Sequence, residues 1–366
     1  MLLNDCERLV IGFFPSISSS TLQLYHSVLS LIPQETALAT TYAGERRAGT
    51  SVKAIHGAAM LWDACLGTVI GHEGRNIRAV DLSPDGRTIV SSGDDSKIRL
   101  WDALTCTLLL VLSGHTECID CVKYSPDGTR IVSASDDSMV KIWDAVSGMV
   151  VRTLTGHTNR VHCAAFTPNG ARVISGCFDG TIKIWDIQSG TCLATLTKHR
   201  RGIESLAVSP DGLWIASSSN EEPVYLWSLE APYPHRAVPV RDAMGHSVAF
   251  TPDNSEVLTA PFQYESEDRE DPISVWDVSS GEHLRNLKPL GQRPRCLSFS
   301  TAGDEFACGS NSGTIFIIDP SNGELRRTLI GHTSSVLGVA YNRERTRLVS
   351  CCYSRGLMRG IRGQYD

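Results

Sequence analysis

The chain has 366 residues, a formal net charge of −6, 42% hydrophobic residues and 12 cysteines. That length allows a large core, and the mildly acidic balance gives no support to general nucleic-acid or anionic-membrane binding, which requires a clustered basic surface. Twelve cysteines spread over such a length fall short of a disulfide scaffold, so reduced thiols are expected, and no apolar run approaches a membrane span.

The opening residues do not fit a secretory signal. Met1-Leu2-Leu3 runs into Asn4-Asp5-Cys6-Glu7-Arg8, and the apolar stretch that follows is short and closed by Pro15. A cytoplasmic protein is expected. Residues 1–56 are read as an N-terminal extension, irregular or helical; within it LYHSVLSLIPQETALATTY (24–42) also has the pattern of two strands of a degenerate repeat.

From residue 57 onward the chain repeats itself. Trp101, Trp143, Trp185 and Trp227 recur every 42 residues, and the first three close near-copies of one sentence: SPDGRTIVSSGDDSKIRLWD, SPDGTRIVSASDDSMVKIWD and TPNGARVISGCFDGTIKIWD. Within one copy, CVKYSPDG, RIVSAS, MVKIW and MVVRTL read as four short strands, each bounded by Gly, Pro, Asp or Ser. SPDG and TPNG place Pro second and Gly fourth, which predicts a type I turn joining the first two strands.

Repeats of 40 to 45 residues with Gly-His near the start and Trp-Asp near the end are the mark of a four-stranded propeller blade, and this chain resembles the WD-repeat β-propeller family. The resemblance covers at least residues 71–349. It implies, in each full repeat, a hydrogen-bonded His, Ser, Asp and Trp set. The matching residues are His72, Ser91, Asp95 and Trp101; His115, Ser133, Asp137 and Trp143; His157, Ser175, Asp179 and Trp185. The fourth repeat has His199, Ser217 and Trp227, with Glu221 at the Asp position and Ser228 for the final Asp, so its set is expected to be strained or partly open. The fifth ends at Trp276-Asp277, and His246 is read as a loop residue. In the sixth, Leu290, Cys308 and Ile318 stand at the His, Ser and Trp positions.

The two ends decide how the ring closes. After Gly331-His332, VLGVAYNRERTRLVSCC supplies two strands, and the following residues, 355–366, are read as a disordered tail. The region around Val69 would then give the outer strand of one shared blade. The expected fold is therefore all-β, a WD-repeat β-propeller over residues 57–354 with seven four-stranded blades; eight result if 24–42 open a blade of their own. Residues 13–33 followed by SVKAIHGAAMLWDACLGTVIGH (51–72) are also similar to the stretch joining the NACHT module to the propeller in fungal NLR-like NTPases. This likeness implies the sensor half of such a protein; the alternative is an ordinary extension capping the ring.

Ser, His and Asp together invite a catalytic reading, but the trio occurs three times at fixed distances from a Trp, as a structural network repeated per blade requires. Cys118-x-x-Cys121 lies on a strand with no second pair at zinc-ligand spacing, and phosphate-binding motifs are absent. No catalytic residue, cofactor or metal is assigned. The resemblance implies a non-catalytic protein-interaction scaffold or ligand-sensing propeller; a hydrolase or lyase with a central-channel site is the alternative. Its partners would be proteins or peptides, not nucleic acid or membrane. The family's partner face carries the residues following each structural His and preceding each blade Asp: Asn76, Arg78, Asp94, Cys118, Asp120, Asp136, Arg160, His162, Phe178, Gly202, Glu204 and Asn220. The longer fifth repeat adds an acidic loop, with Glu265, Glu267, Asp268, Glu270 and Asp271 around Arg269. It is either a solvated turn or a device that steers a basic partner.

Overall fold

The structure is a computed structural model that describes residues 65–72, 75–220, 222–238, 244–262, 272–287, 292–342, 347–353 and 357–362. The chain divides into a unit of residues 1–66 and one of 67–366; apart from Cys65 and Leu66, which begin a strand that crosses the boundary, all the described residues belong to the second. The likeness of residues 13–33 and 51–72 to an NTPase-proximal stretch, and the two strands read in 24–42, fall almost wholly outside the described residues.

The strand β1 (Cys65–Ile70) comes first. Six groups of four then follow: β2 (Ile77–Leu82), β3 (Thr88–Gly93), β4 (Lys97–Asp102), β5 (Leu108–Ser113); β6 (Ile119–Tyr124), β7 (Arg130–Ser135), β8 (Val140–Asp144), β9 (Val150–Leu154); β10 (Val161–Phe166), β11 (Arg172–Cys177), β12 (Ile182–Asp186), β13 (Cys192–Leu196); β14 (Ile203–Val208), β15 (Trp214–Ser219), β16 (Val224–Ser228), β17 (His235–Val238); β18 (Met244–Phe250), β19 (Glu256–Phe262), β20 (Ser274–Asp277), β21 (His283–Asn286); and β22 (Pro294–Phe299), β23 (Phe306–Ser310), β24 (Ile315–Ile318), β25 (Leu325–Leu329). The last three are β26 (Val336–Tyr341), β27 (Arg347–Cys352) and β28 (Leu357–Arg362). Each group of four pairs as one antiparallel sheet, and the remaining strands form a composite sheet in the order β1-β28-β27-β26, giving seven sheets. Their inner strands touch in succession, β2 to β6 and on to β26, and β26 returns to β2. The ring is closed by strands from both sides of the repeat array. We number the blades from β2–β5 as one to the composite sheet as seven.

Two expectations are corrected. Residues 357–362, read from sequence as disordered tail, are β28, paired along its length with β27 from Arg347↔Arg362 to Cys351↔Met358. Its residues LMRGIR lack the apolar alternation that marks the other strands. His246 lies inside β18, not in a loop.

The turn chemistry explains why SPDG recurs. Gly86 N donates to Ser83 O at 2.8 Å, Ser83 Oγ donates to Asp85, and Thr88 N donates back to Ser83 Oγ, so the turn satisfies its own polar groups. Gly86 has φ 69°, the left-handed region that glycine enters without steric cost, and in blade five Asn254 takes the same place with φ 63°. Where an aspartate follows the repeat Trp it ends the third strand by accepting turn amides, as Asp144 does from Ser147 N at 2.7 Å.

Apolar residues of neighbouring blades interleave. Val132, Val140 and Ile142 of blade two pack with Val161, Val173 and Trp185 of blade three in one buried cluster. Nearer the axis, small polar side chains bridge inner strands: Cys121 Sγ donates to Ala164 O at 3.4 Å, and Val248 N and Leu297 N donate to Ser205 Oγ and Ser247 Oγ. Those bonds serve amide and carbonyl groups that face another blade instead of a paired strand.

Candidate partner-binding face

Buried His-Ser-Trp sets stand in blades one to four and tie the loop entering each of those blades to its inner strands. In blade two, Trp143 Nε1 donates to Ser133 Oγ at 2.8 Å, His115 Nε2 is 2.7 Å from the same hydroxyl, and His115 Nδ1 is 2.7 Å from Asp137. Because the carboxylate only accepts, Nδ1 carries the proton and Nε2 accepts from the serine. Blade one has the same geometry in His72, Ser91, Asp95 and Trp101, with Arg99 also donating to Asp95. Burial alone would raise the Asp95 carboxyl, but hydrogen bonds from His72 and Arg99 hold it well below the usual carboxylate range. Ser91, Ser133 and Ser175 are fully buried, so no substrate reaches these serines as it would a triad nucleophile.

Blade three departs from the expected set. Trp185 and His157 both bond Ser175, but His157 Nδ1 is 3.8 Å from Asp179. Asp179 instead accepts from Thr181 Oγ1 at 2.6 Å and from Thr158 Oγ1 at 2.9 Å, hydroxyls that compete with the imidazole. Burial without a close carboxylate pushes His157 down to about 4. Blade four, expected to be partly open, is closed: Trp227 Nε1 and His199 Nε2 meet Ser217 Oγ at 2.8 Å, and His199 Nδ1 meets Glu222 Oε2 at 2.9 Å. The carboxylate comes one residue later than the register places it, and Glu221 is outside the described residues. Sequence reasoning also missed Trp276 Nε1 donating to Thr259 Oγ1 at 3.0 Å in blade five, and His332 Nε2 at 2.7 Å from Ser350 in blade seven. The threonine precedes its Trp by 17 residues instead of 10, and blade seven has no Trp to complete the pattern.

The face itself is built by a feature that hydropathy does not show. All seven first-to-second strand pairs carry a β-bulge at the same register, between Ile77/Ala79, Ile119/Cys121, Val161/Cys163, Ile203/Ser205, Gly245/Ser247, Pro294/Cys296 and Val336/Gly338. A bulge leaves one residue unpaired and re-aims its side chain. The bulged residues are Arg78, Asp120, His162, Glu204, His246, Arg295 and Leu337, six of them ionisable; Arg295 and Leu337 were not singled out from sequence. The signal was present, since each directly precedes a small residue: Ala79, Cys121, Cys163, Ser205, Ser247, Cys296 or Gly338.

Next to five of the bulges the residue after the second strand bonds back to the entering loop: Asp94 N donates to Asn76 O, Asp136 N to Cys118 O, Phe178 N to Arg160 O, Asn311 N to Arg293 O and Tyr353 N to Ser335 O. These two rows meet across blades. Asn76 Nδ2 and Arg78 Nε both donate to Asp94, at 2.8 and 2.5 Å. Arg78 also lies over the Tyr353 ring of blade seven, 5.9 Å from its centroid, and its Nη1 is 3.8 Å from Asp120 of blade two. Arg160 of blade three reaches Asp136 of blade two at 3.6 Å, and His162 Nδ1 is 3.7 Å from Asp120. Burial, reinforced by Asp136 and opposed by His162, pushes the Asp120 carboxyl up to about 6. In blade four Asn220 Nδ2 donates to Glu204 at 2.8 Å.

Phe178 is 47% exposed and stacks on His162 with centroids 5.7 Å apart. Its other side lies on Gly202, where a Cβ would come within 2.4 Å of the ring, so only glycine admits this packing. Cys118 and Cys121 diverge, the first toward Asp94 O of blade one and the second toward Ala164 of blade three. The acidic loop with Glu265, Glu267, Asp268, Glu270 and Asp271 is outside the described residues.

Seven sheets in a closed ring, with buried His-Ser-Trp sets behind a bulged inner rim, define a β-propeller of the WD-repeat kind. The WD domain, G-beta repeat family matches residues 63–102, 106–144, 148–186, 190–228 and 323–358, just over half of the chain, and the chain belongs to that family. These repeats run one strand out of phase with the blades: the first, 63–102, spans β1–β4, and its leading strand joins blade seven. Blade five and the first three strands of blade six lie outside the matched repeats, although each blade is a full four-stranded sheet; β25 of blade six opens the last match.

Among curated proteins, the chain is similar to the vegetative incompatibility protein HET-E-1 of Podospora anserina, 36% identical over 29% of this chain and 8% of that one. It is also similar to the meiotic recombination protein rec14 of Schizosaccharomyces pombe, 34% identical over 21% of this chain and 26% of that one. A shorter stretch is 52% identical to the nuclear distribution protein PAC1 of Arthroderma benhamiae, over 12% of this chain and 10% of that one. The chain thus spans only a small part of the curated relatives it matches.

Proposed function

We propose that this propeller is a non-catalytic interaction module that takes a protein or peptide partner on the bulged face of blades one to four. The observation that carries the proposal is the register-matched bulge, which turns Arg78, Asp120, His162 and Glu204 toward one rim beside the half-exposed Phe178. Aromatic and Arg side chains contribute most of the energy at interfaces, and a rim of both signs suits a polar protein surface better than a uniformly charged nucleic acid. Among the described residues no helix is long and apolar enough to cross a membrane. The acidic loop of the fifth repeat would steer a basic partner toward the face, and the setting is cytoplasmic.

The test compares partners captured by the wild-type chain, Phe178→Ala, Arg160→Ala and Leu193→Ala. Leu193 is an exposed residue of β13, an outer strand, and serves as control. The proposal expects loss with the first two changes only; loss with Leu193→Ala alone contradicts it.

A further inference from the structure

The mouth between blades two and three holds an unusual donor set. One ligand atom each from Asp120, Asp136 and His162 lie within 4.8 Å of one another. Asp120 and His162 are consecutive bulge residues, and Asp136 follows β7, so all three positions are fixed by sheet pairing. His162 Nδ1 lies 3.7 Å from Asp120 Oδ2, beyond a hydrogen bond, and the Asp120 and Asp136 carboxyls, which meet only where one holds a proton, are repelled once both ionise. Asp136 Oδ1 is buried and accepts no hydrogen bond. A buried carboxylate oxygen without a donor is costly, and calls for an ion or another partner.

The neighbouring cations do not fill the space. Arg78 is committed through Nε to Asp94 and keeps its Nη1 3.8 Å from Asp120. Arg160 Nη1 stops 3.6 Å from Asp136 Oδ2, on a side chain that is 62% exposed. Two carboxylates and one imidazole are an oxygen, oxygen, nitrogen set that suits zinc-class divalent ions; magnesium and calcium prefer all-oxygen sites. Around a tetrahedral zinc with bonds of about 2.0–2.1 Å, donor atoms stand roughly 3.3 Å apart. The 3.7 Å between His162 and Asp120 needs to contract by only a few tenths of an ångström.

We propose that Asp120, Asp136 and His162 bind one divalent transition-metal ion of the zinc class at the rim, with its remaining coordination positions open to solvent or to a partner's side chain. The site does not depend on the partner reading. A second cluster, His157, Cys177 and Asp179, is equally close. Its atoms are already engaged, His157 with Ser175, Cys177 with Asn159 O at 3.1 Å, and Asp179 with Thr158 and Thr181.

Titrating the purified full chain with Co2+ and with Zn2+, by absorption spectroscopy and calorimetry, tests the assignment. About one equivalent is expected, without a thiolate-to-cobalt charge-transfer band. His162→Gln and Asp136→Asn should each weaken binding more than about tenfold, Arg160→Ala should tighten it, and Cys177→Ser should leave it unchanged, with thermal midpoints confirming that each variant folds. No saturable binding, equal binding by all variants, or loss in Cys177→Ser together with a thiolate band would each overturn the proposal.

Discussion

His199 Nδ1 lies 2.9 Å from Glu222 Oε2, although the repeat register assigns the carboxylate to the residue before it. Glu222 also accepts from Arg200 N at 2.9 Å, so one side chain secures both the histidine and the loop that carries it. Removing it leaves a buried imidazole donor unpaired. Glu222→Ala is expected to cost about 1–3 kcal/mol, Glu222→Gln less because the amide oxygen still accepts, and Glu221→Ala less than Glu222→Ala. Urea midpoints of the three variants check this; a larger loss at Glu221 would show the register, and not the observed bond, to be right.

Closure by a composite sheet makes both chain segments of blade seven necessary. Ending the chain at residue 354 removes β28, which lies between β27 and β1, and so opens two strand edges at once. Beginning it at residue 71 removes β1 and exposes β28. Each truncation should lower the cooperative unfolding midpoint and increase aggregation, the 354 truncation at least as strongly. An unchanged midpoint for a chain of residues 1–354 would contradict the strand pairing.

Acid should weaken the fold before the tetrad carboxylates titrate; the Asp120 carboxyl, raised to about 6 in the fold, binds its proton first in the folded chain and offsets part of the loss. His157 is lowered from 6.5 to about 4, chiefly by burial, and His199 is shifted the same way. The unfolded chain therefore binds protons first as pH falls, and stability present above about 6.5 declines down to about 4, by roughly 3 kcal/mol for His157. Asp95, Asp137 and Asp179 are held low in the fold, so their contribution is present above the ordinary carboxylate value and is lost only in stronger acid. Denaturation midpoints should already fall between pH 7.5 and pH 5. Thr181→Val, which frees Asp179 to approach His157, should flatten that slope; a wild-type midpoint that does not change over this range would refute the histidine assignment.

The fold was legible where copies were strict. The 42-residue recurrence of Trp101, Trp143 and Trp185 exposed blades one to three and their polar sets because the same turn and the same buried bonds select the same residues each time. Legibility failed where a different residue does the same physical job. Glu222 reaches with a longer side chain from one position later, Thr259 replaces a serine on the other side of a longer hairpin, and Asp179 is drawn from His157 by two threonine hydroxyls. β28 was missed because LMRGIR is stabilised by pairing with β27 and β1, and pairing with distant segments leaves little local signature. The rim residues Arg78, Asp120, His162 and Glu204 were named from the family likeness, but the bulges that unite them, and Arg295 with them, were not, since a bulge interrupts the period of two on which strand reading depends.

The proposed function has partners docking on the bulged rim of blades one to four. Amide hydrogen exchange of the chain alone and with a captured partner measures this directly. Added protection is expected in residues 75–78, 117–120, 159–162 and 201–204 and in the turns holding Asp94, Asp136, Phe178 and Asn220, with the outer strands β5, β9 and β13 unchanged. Protection confined to those outer strands, with the rim unaffected, would contradict it.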